Sequence, residues 1–447
     1  MQIRTDTIVA PSTAPGRGAI AVVRLSGSNA HQLARPLCRH WPDEARRVVH
    51  TTVVDPRSGR PLDDALVTRF DAPRSYTGEP MVEFAVHGGP TTTREVVATL
   101  LDQGARLAEP GEFTQRALLN GKLDLLQAEA IGDLVDAATP AHRAVALAQL
   151  HGSLSRLVQE LRDGLVHVEA LLAYDVDFPE EDDGPVPRAR IRAAATAVLE
   201  RLERLLATTR QGDAVRDGAL VVIAGAPNAG KSSLFNALLG EERAIVTEIA
   251  GTTRDAIEVR LARRPWPLRL VDTAGLRDTT DRLERMGIEV SERHIGAAHV
   301  VLACGASDAE IADAEDVVQR LGGGAPRLRV LTKADTGATA AHAIAVSAVT
   351  REGLDTLVRA IDEALDRSLG AVPDDGAVLM RARQRVALER AREELREFLA
   401  AWDAAALPAT VAAVHVRAAT GALDELIGVV DVEQVLDRVF RDFCVGK

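Results

Sequence analysis

At 447 residues the chain is longer than one hydrophobic core supports, which predicts two to four domains. Its 46% hydrophobic and 26% charged residues are those of ordinary globular protein, and no apolar run nears the ~18 residues of a membrane span, so the reading is a cytoplasmic protein with no membrane partner. A formal net charge of −12 excludes a generally cationic surface, so contact with nucleic acid would need a local basic patch or a partner protein.

The opening Met1-Gln2-Ile3-Arg4-Thr5-Asp6 runs into neither a long apolar core nor a small-residue cleavage site, and no signal peptide is predicted. Residues 1–120 alternate short β-type runs, Ile20–Val23 and Met81–Val86, with Gly- and Pro-rich turns and a helical stretch near Thr93–Leu101, the pattern of a compact α+β domain. From about Leu123 the period changes. Leu154, Leu157, Val158, Leu161, Leu165, Val168, Leu171 and Leu172 recur at three- and four-residue spacing, as packed helices require. The acidic, proline-containing stretch Asp177–Pro185 interrupts them as a loop. A strand at Ala219–Ala224 opens a region where strands alternate with helices up to about Ala364, which implies a parallel sheet covered on both faces. After Pro373 helical spacing returns, with Val386, Leu388, Leu395 and Leu399, and a last helix is predicted near Val432–Phe440. The expected fold is therefore multidomain: an α+β N-terminal domain (1–120), an α-helical middle domain in two chain segments (121–215 and 372–447), and an inserted α/β P-loop domain (216–371). Cys38, Cys304 and Cys444 are too far apart for a disulfide framework or a metal-ligand spacing, and two of them read as core or surface thiols.

Gly225-Ala226-Pro227-Asn228-Ala229-Gly230-Lys231-Ser232 matches G-x-x-x-x-G-K-[ST] between that apolar strand and a helical run beginning Ser233-Leu234. Successive backbone N–H groups and a helix N-terminus make an anion cradle there, with Lys231 reaching the β- and γ-phosphates and Ser232 a ligand for Mg²⁺. Asp272-Thr273-Ala274-Gly275 follows the strand Leu268–Val271, 41 residues after Lys231, where an Asp holds Mg²⁺ and a Gly N–H meets the γ-phosphate. Gly251-Thr252-Thr253-Arg254-Asp255 lies between these motifs, where a switch loop belongs, and Thr253 can complete the Mg²⁺ shell; a plain turn with a cap is the competing reading. Thr332-Lys333-Ala334-Asp335 and then Val346-Ser347-Ala348 complete the order of a GTP-binding domain, Asp335 accepting hydrogen bonds from guanine N1 and N2 that adenine cannot make. Two departures matter. GTPases usually carry Asn where this chain has Thr332; a shorter side chain stands to lose a base contact or a bridge to the phosphate loop, which leaves guanine specificity leaning on Asp335. Leu276 follows Gly275, so no Gln is there to orient the attacking water.

Motifs at both ends of the chain narrow the reading further. Asp6–Ala10, Gly16–Gly27, Ser75–Glu79, Val86-His87-Gly88-Gly89, Pro110–Ala117 with Asn120–Ala130, and the terminal Phe443-Cys444-Val445-Gly446-Lys447 resemble the MnmE (TrmE) family of tRNA modification GTPases. The resemblance implies a folate-binding N-terminal domain that forms a homodimer. It implies an FAD-dependent partner, MnmG, with which the family installs a carboxymethylaminomethyl-type group at C5 of the wobble uridine, position 34, of certain tRNAs, drawing on a tetrahydrofolate (5-formyl or 5,10-methylene form).

Carried over residue by residue, the resemblance implies a folate site of Arg24, Glu83, Lys122 and Lys447, which suits a polyanionic tail and the donor edge of a pterin. It implies a modification role for Cys444. It puts the water-orienting carboxylate at Glu284 and a K⁺ ion on Asn228 and on backbone oxygens of Thr247, Ile249 and Thr252, within a nucleotide-contacting loop that includes Glu248, Ala250 and Gly251. Blander readings stand beside these: solvated Arg and Lys side chains, a surface ion-pair partner at Glu284, a turn cap at Asn228, a turn residue at His87. Two other functions also remain open, a GTP-dependent ribosome-assembly switch and an ATP-binding scaffold without turnover. The first has no use for the N-terminal 120 residues or the C-x-G-K tail, and Asp335 argues against the second.

Overall fold

The structure is a computed structural model, and it describes residues 6–177, 186–241, 257–261, 266–272, 294–322, 324–370, 373, 376–404, 409–428 and 446. The chain divides into two compact units, residues 1–132 with 424–447, and residues 133–423.

The first unit is built on a six-stranded sheet of β1 (Ile8–Pro11), β2 (Ile20–Ser26), β3 (Val48–Val54), β4 (Pro61–Phe70), β5 (Met81–His87) and β6 (Arg106–Leu107), in the order β3-β4-β5-β2-β1-β6. All neighbours are antiparallel except β1 and β6. Side chains alternate across a strand, so Ala21, Val23 and Leu25 of β2 go into the core while Arg24 falls on the other face. Helix α1 (Ala30–Ala34) and helix α2 (Pro90–Asp102), whose Pro sits in its first turn, supply Ala30, Ala34, Val96, Val97 and Leu100 to that core. The Arg24 face carries Phe113 of α3 (Glu112–Leu119), which is fully buried with Ile8, Ala10 and Ala108. Helix α4 follows at Leu125–Asp136.

A mesh of charges pins the edge of this unit. Arg106 meets Asp6 at 2.8 Å and Glu112 at 2.6 Å, while Arg116 meets Asp6 at 2.7 Å, Glu112 at 3.0 Å and Glu79 at 3.4 Å. Burial alone would raise the Glu112 carboxyl, but the two guanidiniums outweigh it and hold it below its ordinary 4.5.

In the second unit helices precede and follow a sheet domain. The first are α5 (Pro140–Leu150), α6 (Ser153–Asp177), α7 (Arg188–Ala207) and α8 (Thr209–Asp217). Leu154, Val158, Leu161, Leu165, Val168, Leu171 and Leu172 are buried along α6, as their spacing predicts. The sheet strands are β7 (Ala219–Gly225), β8 (Ile257–Leu261), β9 (Leu268–Asp272), β10 (Val300–Gly305), β11 (Arg327–Leu331) and β12 (Ile344–Ala345), ordered β12-β11-β10-β7-β9-β8, parallel except for the edge strand β8. Its helices are α9 (Lys231–Glu241), α10 (Asp308–Arg320) and α11 (Leu354–Leu369). The unbroken apolar run of β7 is explained by burial on both faces. Ala219, Val221 and Ile223 pack with Leu234, Phe235 and Leu238 of α9, whereas Leu220, Val222 and Ala224 pack with Val318 of α10.

Beyond the sheet, α12 (Ala382–Asp403) and α13 (Ala409–Ile427) return to the earlier helices. Arg192 of α7 pairs with Asp403 at 2.7 Å, Arg188 lies over the Trp402 ring at 4.0 Å, and Thr420 donates to Glu169 at 2.8 Å. Leu388 and Leu395 are buried in α12, but Val386, counted in the same spacing, is 51% exposed. Helices before and after the sheet domain thus pack together across some 200 residues of chain. Among the described residues no helix is long and apolar enough to cross a membrane. Asp177, placed at the start of the predicted loop Asp177–Pro185, is instead the last residue of α6, which carries its helical spacing one residue further; the rest of that loop and the predicted helix near Val432–Phe440 lie outside the described residues.

Candidate functional site

The phosphate loop leaves β7 at Gly225 and enters α9 at Lys231. Asn228 has φ 64° and Gly230 φ 81°, so the loop turns through two left-handed residues, a conformation that Asn and Gly adopt at least cost. Gly225 lies so close to β10 that a Cβ would sit 2.3 Å from the Cys304 carbonyl oxygen. Helix α9 opens with Leu234 N–H donating to Gly230 O at 2.9 Å, which leaves the N–H groups of Lys231, Ser232 and Ser233 in the first helical turn, where anions bind. Lys231 is 5% exposed and donates to Ala226 O at 2.8 Å, folding over its own loop. Ser232 donates to Oδ2 of Asp272 at 2.7 Å. Parallel pairing of β7 with β9, Ile223 opposite Asp272, brings the carboxylate to the loop. The adjoining hydroxyl and carboxylate are hard oxygen donors of the type Mg²⁺ selects.

The Thr332–Asp335 loop follows β11 on the same sheet edge. Thr332 is 3% exposed; its hydroxyl lies 2.6 Å from Ala229 O and 3.0 Å from Gly305 O, both acceptors. Of the two losses open to a shorter side chain, the bridge to the phosphate loop is therefore not one. Lys333, with φ 54°, donates to Asn228 O at 2.9 Å. Ala334 N–H donates to Val346 O at 3.2 Å and Val346 N–H to Leu331 O at 2.8 Å, so this loop and the Val346-Ser347-Ala348 segment are tied together. Ser347 is fully buried, its hydroxyl accepting from the N–H groups of Val349 and Thr350. Asp335 is exposed at the loop's outer end. The Asn228 side chain is exposed and makes no hydrogen bond among the described residues. Cys304, in β10 beneath the loop, has its thiol pushed up to about 12 by burial and is no nucleophile at neutral pH.

In the first unit Arg24 and Glu83 are cross-strand partners, joined at 2.8 and 2.9 Å. The Arg24 guanidinium also lies 5.0 Å from the Tyr76 ring and 5.6 Å from the Phe113 ring, two aromatic neighbours that no spacing in the sequence announces. Burial is the largest cause raising the Tyr76 hydroxyl above its ordinary value. Lys122 is exposed, packs its stem near Gly78 and donates to Pro73 O at 3.0 Å, on the same loop that carries Tyr76. At the far end of the chain Gly446, with φ 98°, accepts from the Ser12 hydroxyl at 2.9 Å; a Cβ there would meet Pro11 O at 2.0 Å. Pro11 continues β1 one residue past Ala10, the cross-strand partner of Arg24. His87 is held by Asp63 at 2.8 Å with its ring 74% exposed. Of the predicted site residues, Thr247, Glu248, Ile249, Ala250, Gly251, Thr252, Thr253, Thr273, Ala274, Gly275, Glu284, Cys444 and Lys447 lie outside the described residues.

A P-loop at the end of a parallel strand, a hydroxyl and a carboxylate side by side at the metal position, and a T-K-A-D loop on the same sheet edge define a P-loop GTPase-type nucleotide-binding domain. Comparison with known proteins extends the match to the whole chain. Residues 7–122 match the family model described as "GTP-binding protein TrmE N-terminus" and residues 125–444 the model "MnmE helical domain". The chain is 40% identical to the tRNA modification GTPase MnmE of Moorella thermoacetica over 99% of each chain. It is 38% identical to that of Aquifex aeolicus, over 99% of this chain and 100% of that one, and 41% identical to that of Laribacter hongkongensis over 100% of each. The chain belongs to the MnmE family of tRNA modification GTPases.

Proposed function

We propose that this protein is a K⁺-activated GTP hydrolase of the cytoplasm that works with an FAD-dependent MnmG partner. Together they would place a carboxymethylaminomethyl-type group at C5 of the wobble uridine of certain tRNAs, using a one-carbon unit from a tetrahydrofolate. The single observation that carries the nucleotide half is the 2.7 Å contact between Ser232 and Asp272 under the Lys231 loop, the arrangement a Mg²⁺–nucleotide needs. Ser232 and Asp272 would hold Mg²⁺, with Thr253 completing the shell. The metal would offset charge on the phosphates, while Lys231 and the N–H groups of α9 orient them.

In this reading Glu284 positions the attacking water, because Leu276 cannot, and K⁺ is held by Asn228, Thr247, Ile249 and Thr252. The exposed Asn228 amide, not committed to a turn cap among described residues, is compatible with a ligand role. Folate would bind beside the Arg24–Glu83 pair, with Lys122 and Lys447 meeting its anionic tail and Tyr76 a flat neighbour for the pterin. The docking of Gly446 against Ser12 supports a role for the adjoining Lys447. We further propose the fourfold division at 120, 215 and 371, with homodimerisation through the N-terminal domain, and a modification role for Cys444.

The test is mass spectrometry of wobble-uridine modifications in tRNA from cells lacking the gene and from cells complemented with wild type or Arg24→Ala. Loss of the modification in the deletion and in Arg24→Ala, with recovery in wild type, is expected. An unchanged spectrum in the deletion would refute the proposal.

A further inference from the structure

A threonine hydroxyl has one hydrogen to give, and at Thr332 both nearby partners, Ala229 O at 2.6 Å and Gly305 O at 3.0 Å, are carbonyls that can only accept. Its backbone N–H also goes to Gly305 O, at 2.9 Å. The side chain is wedged against the phosphate loop, since a Cβ on Gly230 would come within 3.3 Å of the Thr332 Cβ. Turning the hydroxyl away would strand a buried carbonyl, which costs more than the new bond returns. Asparagine, with two amide hydrogens, could bridge the loop and still donate to a base.

Guanine offers donors at N1 and N2 on one edge, which suit Asp335, and acceptors at N7 and O6 on another. We propose that Thr332 sets the nucleotide specificity of this protein by omission: it holds the phosphate loop and leaves N7 of the purine without a side-chain donor. The guanine is then read at its N1/N2 edge by Asp335, and the N7 position is not inspected by the Thr332 loop. This rests on the reading of Asp335 as the guanine acceptor.

The probe is 7-deaza-GTP, which carries C–H where GTP has N7 and is unaltered at N1 and N2. Full-length wild type should hydrolyse GTP and 7-deaza-GTP with kcat/KM values within about twofold, whereas a lost side-chain bond to N7 would separate them by about 3- to 10-fold. Thr332→Asn should open a gap of that size in favour of GTP. Thr332→Val, which keeps the shape and removes the bridge, should weaken both nucleotides by the same factor. A wild-type preference for GTP of about threefold or more would overturn the proposal, as would a loss in Thr332→Val confined to GTP, or a folded Thr332→Asn that still ignores N7. If Thr332→Asn does not fold, wild type and Thr332→Val decide the matter. The Asp335 reading is tested separately with Asp335→Asn, which should exchange GTP for xanthosine triphosphate. Failure of that exchange with equal use of GTP and 7-deaza-GTP would remove Asp335 and not Thr332.

Discussion

The Ser232 hydroxyl donates to the Asp272 carboxylate at 2.7 Å, so two residues 40 positions apart form one oxygen pair at the phosphate loop. Ser232→Ala removes one oxygen from it and leaves the Asp272 carboxylate, 2% exposed, without that donor. Charge-assisted contacts of this kind are worth about 1.5–3 kcal/mol, so the Mg²⁺ concentration needed for half-maximal GTP hydrolysis should rise on the order of tenfold or more. A Mg²⁺ titration of turnover checks this, and an unshifted midpoint would separate Ser232 from the metal.

Monovalent cations provide a second measurement. If Asn228 holds K⁺ between the phosphates, exchange of Na⁺ for K⁺ at constant ionic strength should speed hydrolysis by at least about tenfold, as expected for charge stabilisation in a low-dielectric site. Asn228→Ala should abolish the difference. Glu284→Ala should lower turnover by about 10²-fold or more while nucleotide affinity, read by fluorescence titration, stays within a few-fold. Equal rates in both salts would return the transition-state charge to an arginine.

Folate affinity should respond to both ends of the chain. Arg24→Ala removes a charge-assisted partner of Glu83 and the cation over Tyr76, and calorimetry with a reduced folate should show a loss of about tenfold or more. Gly446→Ala puts a Cβ 2.0 Å from Pro11 O at a positive φ, so the last residues must shift away from β1. The same assay should then weaken, while GTP hydrolysis without tRNA is retained. Wild-type folate affinity in Gly446→Ala would free Lys447 from the site.

Stability should fall in mild acid because of His299. Its Nδ1 accepts from Leu220 N–H at 3.0 Å, and burial, aided by the Arg210 charge, lowers the ring from 6.5 to about 4. The folded protein keeps the ring neutral while the unfolded chain takes up a proton, so the contribution is complete above pH 6.5 and is lost as pH falls toward 4. Between pH 7.5 and 5 this amounts to about 2 kcal/mol, and the lowered His142 adds in the same direction. Denaturant unfolding at the two pH values should show the loss, and His299→Asn, which retains an acceptor and does not titrate, should reduce it. The Asp6 and Glu112 carboxyls, held below 3.8 and 4.5, stabilise the fold above about pH 4.5, and their share is lost only as pH falls below that.

The sequence by itself determined the phosphate loop, the order of the GTP-binding motifs and the family, because those features are local. Asn228 and Gly230 encode a backbone path through dihedral preference, and the two-face apolar run of β7 encodes a buried parallel strand. Helical spacing likewise exposed α6, although it could not tell that Val386 of α12 faces outward, since period alone does not say which neighbours arrive. Tertiary structure alone decided the rest. Whether Thr332 keeps its bridge depends on Ala229 of the phosphate loop and Gly305 at the end of β10 converging on it. The aromatic pair at Arg24, the Asp6–Arg106–Glu112–Arg116 mesh and the neutral state of His299 each join residues up to 110 positions apart. Such contacts have no local dihedral signature; strand pairing and the burial that follows it create them, and only then does a solvated charge become a site.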